Sequence, residues 1–155
     1  MLFAHLTGIK LLHVPYKGAG PAITGVLSGE TDLMFATMVS ILSQVKSGKL
    51  RALGVTGAQR SAAAPELPTI SESGVPGYEA NAWFATFTTA GTPAALVQHL
   101  NTAIVRIMSS AQVRSRLAAQ GAEASTSTPQ ALGQYTRDEI QRWQRVIRAS
   151  GARAD

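Results

Sequence analysis

The stretch of the sequence best suited to bind a ligand is a short turn made of Tyr16, Lys17, Gly18, Ala19 and Gly20. The residues before it, 9–14, are apolar and partly β-branched, which predicts a strand, and Pro15 cannot continue a central ladder. Pro21 suits the first residue of a helix, whose free amides carry partial positive charge. Glycines also let a ligand approach the backbone closely. The pattern predicts an anion-binding turn at the carboxyl end of a strand, while a turn with no ligand is an equally good interpretation.

The side chain in this turn with the clearest chemical role is Lys17, the one basic residue there. A lysine at such a place either contacts a carboxylate directly or is simply a solvated loop residue, and the sequence favours neither. Both interpretations therefore stay open at this point.

Few residues elsewhere suit catalysis. The chain has three histidines, His5, His13 and His99. None has a second kind of metal ligand at a useful spacing. The serines within residues 40–47 lack the pattern of a nucleophile elbow, and no pair of carboxylates is spaced for acid-base work. We therefore expect no enzyme, no metal site and no cofactor.

Composition bounds the class of protein. The chain has 155 residues, of which 45% are hydrophobic and 15% charged, which is typical of a folded domain. The net charge of +5 comes from arginines spread over predicted helix surfaces, which argues against a nucleic-acid partner. No cysteine is present, so disulfides and thiol chemistry are excluded.

No apolar run approaches the roughly 18 residues of a membrane span. Residues 1–4 lack the features of a signal peptide, so none is expected in this chain.

Buried apolar runs alternate with amphipathic helices along the chain, which predicts an α/β fold with a mostly parallel sheet and flanking helices. The expected strands are residues 9–14, 31–35, 50–55 and 82–88. Helices are expected to end at Gly8, Gly29, Gly48 and Gly121.

Between these elements, residues 56–78 are rich in Ala, Pro, Ser and Gly and predict a surface connector. Within it, Thr69 and Glu72 have the spacing of a capping box. Thr92 is expected to cap the helix that follows it, and Thr128 with the next proline to begin the last long helix.

Four segments, in this order, carry a resemblance to a known family. They read HVPYKGAGPAITGVLSGETDLMF, SGKLRALGVTGAQRSAAAPELPTISESGVPGYE, AGTPAALVQHLN and LAAQGAE. The chain resembles the solute receptors of tripartite tricarboxylate transporters, the Bug-type family, from about Phe3 to its C-terminus. The resemblance implies a type II periplasmic-binding-protein-like fold of two lobes that close on a small carboxylate. It also implies that the fold is incomplete, because members are roughly twice as long and the N-terminal part of the two-lobed fold is missing.

The resemblance further implies where a ligand, a dicarboxylate, tricarboxylate, amino acid or aromatic acid, would bind. The expected ligand-binding residues are Tyr16, Lys17, Gly18, Ala19, Gly20, Ala36 and Thr37. Family members often carry Asp or Asn after the strand at 31–35, where this chain has Ala36, Thr37 and Met38, so ligand identity and binding itself are open. The full-length protein is expected in the periplasm with membrane transporter subunits as partners.

The lobes are expected to divide the chain into residues 1–79, most of the second ligand-binding lobe, and 80–155, a segment returning to the first. A crossover within 50–56 is the other possibility. Two alternatives to the receptor stay open: the effector-binding domain of a regulator, and a truncated remnant that binds no ligand. Because the missing part would complete the sheet, the chain is also expected to form a homo-dimer or to self-associate in another way.

Overall fold

The computed structural model describes residues 2–150, and within them the regular structure is helical. The helices are α1 (Leu2–Thr7), α2 (Ala19–Ser28), α3 (Met38–Lys46), α4 (Ala94–Met108), α5 (Ala111–Ala119) and α6 (Pro129–Ser150). Helix α2 packs against α3, α4 packs against α5 and α6, and α1 packs against α6. None of these helices is both long and apolar enough to cross a membrane.

Glycines end several helices as the sequence predicted. Gly29 follows α2 in the left-handed conformation, with φ of 79°, which a residue with a β-carbon rarely adopts. Its amide donates to the carbonyl of Val26, and the amide of Glu30 donates to that of Gly25. Helices α1, α3 and α5 are likewise followed within two residues by Gly8, Gly48 and Gly121, all with positive φ.

The predicted sheet is not confirmed. Within residues 2–150 the one β-bridge is a parallel pair between Val55 and Thr69, and the segments expected to be strands, 9–14, 31–35, 50–55 and 82–88, form no ladder. A strand is stable only when a neighbour supplies hydrogen-bond partners for its backbone. These segments are non-helical, and residues 9–14 and 82–88 are largely exposed, so the mostly parallel sheet stays a prediction.

Two predictions about helix starts need correction. Pro21 is the third residue of α2 and not its first, because the helix begins at Ala19. Thr92 does not cap α4, because its hydroxyl donates to the carbonyl of Thr89 at 2.8 Å and the helix has no side-chain cap. Thr128 behaves as predicted, since its hydroxyl accepts from the amide of Ala131 in the first turn of α6.

The best-buried part of the chain is the connector, residues 56–78, and its immediate neighbours. Thr69 is 1% exposed and Tyr78 is 4% exposed. The predicted capping box is present: the amide of Glu72 donates to the Thr69 hydroxyl, and the amide of Thr69 donates to the Glu72 carboxylate, both at 2.9 Å. Burial raises the pKa of the Tyr78 phenol. This connector is therefore a folded loop with its own hydrogen bonds and not a loose linker.

Helix α1 closes over this loop through aromatic contacts. The ring of Phe3 lies 5.8 Å from that of Phe35 and 6.0 Å from that of Tyr78, the latter edge-to-face. Phe35 is next to Ala36, so the contact holds the segment that leads into α3 against α1 and the connector.

Candidate functional site

The turn before α2 has a backbone shape that requires glycine. Gly18 has φ of 115° and ψ of 176°, a region of backbone conformation that is essentially restricted to glycine. Apart from the chain neighbours and, for Gly20, the backbone of α2 itself, no atom lies within 4 Å of where a β-carbon would stand at Gly18 or Gly20. The turn is therefore open on its outer side, where a ligand can reach the backbone.

The first turn of α2 offers backbone donors. The amides of Ala19 and Gly20 have no intrahelical acceptor because they precede the first helical hydrogen bond, and no side chain caps them. Pro21 has no amide hydrogen, and the amide of Ala22 donates to the Gly18 carbonyl over a long 3.4 Å. The helix dipole adds partial positive charge at this end. Such a terminus attracts an anion such as a carboxylate.

Lys17 lies beside these amides and is exposed. In the part of the chain that the structure describes, the two ion pairs join other residues, so the Lys17 ammonium has no carboxylate partner there. A positive side chain next to an uncapped helix start increases the attraction for an anion.

Tyr16 has a different position from the other turn residues. Its hydroxyl is buried and has no hydrogen-bond partner. A β-carbon on Gly25 would overlap that hydroxyl, because the tyrosine lies directly against the backbone of α2 at this buried glycine. Tyr16 therefore anchors the turn on α2, with its hydroxyl against the helix.

The second group of predicted residues lies before α3. Thr37 is the N-cap of this helix but makes no capping hydrogen bond. Its hydroxyl donates to the Ser40 hydroxyl at 3.1 Å, and Ser40 donates in turn to the Thr37 carbonyl at 2.8 Å. The amides of Met38 and Val39 are therefore left without an intrahelical or side-chain acceptor. Ala36 is half-buried and adds no polar group.

Ser40 was not among the residues predicted from the sequence. It stands three positions after Thr37, and a hydroxyl pair at that spacing at a helix start is a signal that the sequence does contain. Ser40 holds the Thr37 hydroxyl away from the helix amides, which is why they stay free.

The two groups of predicted residues are linked through helix packing. Helices α2 and α3 contact each other, while no hydrogen bond within residues 2–150 joins the turn before α2 to Ala36 or Thr37. The arrangement consists of two consecutive helices, each beginning with uncapped amides just after a predicted strand. Among the described residues, no group of three His, Asp or Glu side chains is placed to hold a metal ion.

Comparison with known proteins shows which protein family the chain matches. The family model described as the tripartite tricarboxylate transporter family receptor, TctC, matches residues 2–152. The chain is 38% identical to BugT of Bordetella pertussis over 152 residues, which are 98% of this chain and 47% of BugT.

Solved structures of the same kind superpose closely. The structure of R. palustris Rpa4515 with adipate gives a TM-score of 0.92 at 35% identity, covering 97% of this chain and 50% of that one. MatC from Rhodopseudomonas palustris, with bound malate, gives 0.83 at 32% identity, covering 94% of this chain and 51% of MatC. The chain thus spans about half the length of these relatives.

The family and the matched structures are those of solute-binding receptors and not of enzymes, as the sequence predicted. It belongs to the tripartite tricarboxylate transporter receptor family, of which BugT is a relative. The fold is that of part of a periplasmic binding protein such as BugD, which it matches with a TM-score of 0.85 at 30% identity.

Proposed function

We propose that this chain is the part of an extracytoplasmic solute receptor that contributes one wall of a site for a small carboxylate. The observation that carries the proposal is the pair of uncapped helix starts, at Ala19 and Met38, each presenting free backbone amides. A carboxylate has two oxygens that accept such donors, and helix N-termini favour negative charge.

In this proposal each predicted residue has a defined role. Lys17 supplies charge, and the open backbone of Gly18, Ala19 and Gly20 supplies the close approach. Tyr16 positions the turn by packing on α2. These residues form the first half of the proposed site.

The second half lies at the start of α3. The free amides of Met38 and Val39 supply further donors, the Thr37 hydroxyl would turn from Ser40 to the ligand, and Ala36 is a neutral neighbour. Relatives solved with adipate and with malate support a dicarboxylate as the ligand class.

The proposal includes the receptor's architecture. Residues 1–79 would form most of one lobe, and 80–155 would return to the other lobe. The opposite wall, the periplasmic location and the membrane transporter subunits as partners would belong to the complete receptor. Losing one wall of a closed site forfeits contacts and desolvation, so we expect roughly millimolar affinity for the chain alone, if about half of a typical 8 kcal/mol is lost.

A completed receptor tests the proposal. The half of Rpa4515 that this chain does not cover is fused to the chain, and adipate and malate binding is measured by calorimetry. We expect micromolar binding to the fusion and at least hundredfold weaker binding to the chain alone.

Substitutions in the fusion protein test which residues contact the ligand. Lys17→Gln and Thr37→Val should each weaken binding about tenfold, which corresponds to about 1.4 kcal/mol. Lys49→Gln is the matched control because Lys49 is an exposed lysine beyond the far end of α3, and it should leave affinity unchanged. Equal effects of the three substitutions, or micromolar binding by the chain alone, would contradict the proposed site.

A further inference from the structure

One glycine in the second half of the chain lies in close contact with the start of α3. Eight glycines in residues 2–150 have positive φ, and at all of them but Gly121 no atom other than those of chain neighbours lies within 4 Å of where a β-carbon would stand. Gly121 follows α5 with φ of 80°. A β-carbon there would lie 2.9 Å from the β-carbon of Met38 and 3.4 Å from Cδ2 of Leu42. A side chain at Gly121 would therefore meet the first residue of α3.

The end of α5 does not by itself account for this close contact. The amide of Gly121 donates to the carbonyl of Ala118, and the amide that follows donates to that of Leu117, a common way for a helix to end at glycine. Gly48 ends α3 with the same pair of hydrogen bonds and φ of 73°, yet it has open space beside it. The closeness to Met38 is therefore a separate feature of Gly121.

Packing matters at the start of α3 because this end of the helix has no side-chain cap. The Thr37 hydroxyl donates to Ser40 and makes no hydrogen bond to the helix amides. Met38 and Leu42 are one turn apart on the same face of the helix, and a β-carbon on Gly121 would contact both. Leu42 is 8% exposed. The buried contact with Gly121 is thus one of the interactions that hold this helix start in place.

We infer that Gly121 is a positioning residue for the carboxylate site, because its lack of a side chain lets α3 begin where the amides of Met38 and Val39 reach the ligand. The inference rests on the proposed function, in which those amides are donors. A β-carbon is bonded directly to the backbone, so Met38 cannot rotate it away from a methyl group on Gly121, and the backbone of α3 has to move. A donor displaced from its productive position binds the ligand more weakly.

Nuclear magnetic resonance of the 155-residue chain without ligand tests the positioning. Gly121→Ala should shift the backbone amide signals of Met38 and Val39. Gly48→Ala is the matched control, because it adds the same methyl group with the same kind of backbone strain at the far end of α3, where nothing lies close to it. It should leave both signals in place. Equal shifts in the two variants, or no shift in Gly121→Ala, would overturn the inference.

A second variant separates the contact from the backbone strain. Met38→Gly removes the atom that a methyl group on Gly121 would meet at 2.9 Å and keeps the backbone amide at position 38. The strain of alanine at Gly121 is the same with either residue at position 38, so a double-mutant cycle reports the contact alone. Gly121→Ala should lower the stability to urea less in the Met38→Gly background than in the unchanged chain, and folding lost in the single variant should return in the double variant. Additive losses would overturn the inference.

Adipate binding to the fusion protein, measured by calorimetry, tests the consequence for the site. Gly121→Ala should weaken binding about tenfold and Gly48→Ala less than about twofold, and adding Met38→Gly to Gly121→Ala should recover part of the loss. Helix content by circular dichroism shows that each variant is folded. Equal weakening by Gly121→Ala and Gly48→Ala would overturn the inference alone. Failure of the unchanged fusion protein to bind adipate or malate would contradict the proposed function, and with it the role of Gly121 in binding.

Discussion

Arg142 donates a hydrogen bond of 2.6 Å from its Nη2 to the backbone carbonyl of Glu79, which lies 63 residues earlier in the chain. The same guanidinium pairs with Glu139 at 3.4 Å, and Glu139 also accepts from the indole of Trp143 at 3.0 Å. A half-buried arginine on α6 thus reaches the position where the sequence places the crossover between lobes. The contact joins the last helix to the end of the connector.

We predict that Arg142→Lys lowers the free energy of unfolding by about 1–2 kcal/mol, because lysine keeps the charge but cannot contact Glu79 and Glu139 in the same geometry. Urea unfolding followed by circular dichroism measures the change. Arg148→Lys, on an exposed part of the same helix, is the control and should change stability by less than 0.5 kcal/mol, as is usual for a surface site. Equal losses in the two variants would show that the contact to Glu79 does not stabilise the chain.

A second prediction concerns the two glycines of the turn before α2. Gly18→Ala should cost about 1–3 kcal/mol, because φ of 115° with ψ of 176° is strained for any residue with a β-carbon. Gly20→Ala should be neutral or stabilising, since Gly20 is helical, has no positive φ and has open space around it. Thermal unfolding of the two variants compares them directly, and equal melting temperatures would contradict the backbone geometry.

A third prediction follows from the packing of Tyr16 on α2. Gly25→Ala should destabilise the chain by about 1–3 kcal/mol, because the new methyl group overlaps the tyrosine hydroxyl. The cost should fall in a Tyr16→Ala background, where the methyl group has space. A double-mutant cycle from urea unfolding measures the coupling between the two positions, and additive losses would mean that they do not touch.

The fourth prediction is a pH dependence. The backbone amide of Thr69, together with Arg60 at 2.9 Å, holds the pKa of the Glu72 carboxyl below its usual 4.5. A carboxyl whose pKa is lowered by folding stabilises the folded state above its unfolded pKa. That contribution should therefore be present above about pH 4.5 and be lost as the pH falls through the lower folded value.

Stability measured between pH 2 and 7 tests this dependence. Glu72→Gln should reduce the loss of stability at low pH, and Glu66→Gln, at an exposed carboxyl in the same connector, is the matched control. If Glu72→Gln loses stability at low pH as much as the unchanged chain does, the proposed role of Glu72 is excluded.

Local signals in the sequence predicted local structure well. The glycine at the end of α2 and the capping box of Thr69 and Glu72 each depend on residues within four positions, so their chemistry can be read from spacing. Thr92 failed as a cap because its hydroxyl had a competing local acceptor, the Thr89 carbonyl. Residue spacing alone does not show whether such a hydroxyl caps the next helix or bonds to a nearby carbonyl.

Contacts between residues far apart in the chain could not be predicted from the sequence. The contact between Arg142 and Glu79 joins residues far apart in the chain, and no spacing rule indicates it. The strands expected at 9–14 and 82–88 have the right composition, yet a ladder depends on backbone partners that composition does not provide. For the candidate site, glycines and helix starts were visible in the sequence, whereas the anchoring of Tyr16 against Gly25 was not.

Nuclear magnetic resonance of the chain titrated with adipate is the most direct measurement of the proposed carboxylate site. At millimolar ligand, we predict that the backbone amide signals of Gly18, Gly20 and Val39 shift with one common binding curve, while those of Gly74 and Gly91, remote in sequence from both helix starts, stay in place. Shifts confined to other residues, or no shift at any of the three amides up to about 20 mM, a concentration well above the roughly millimolar affinity expected, would contradict it.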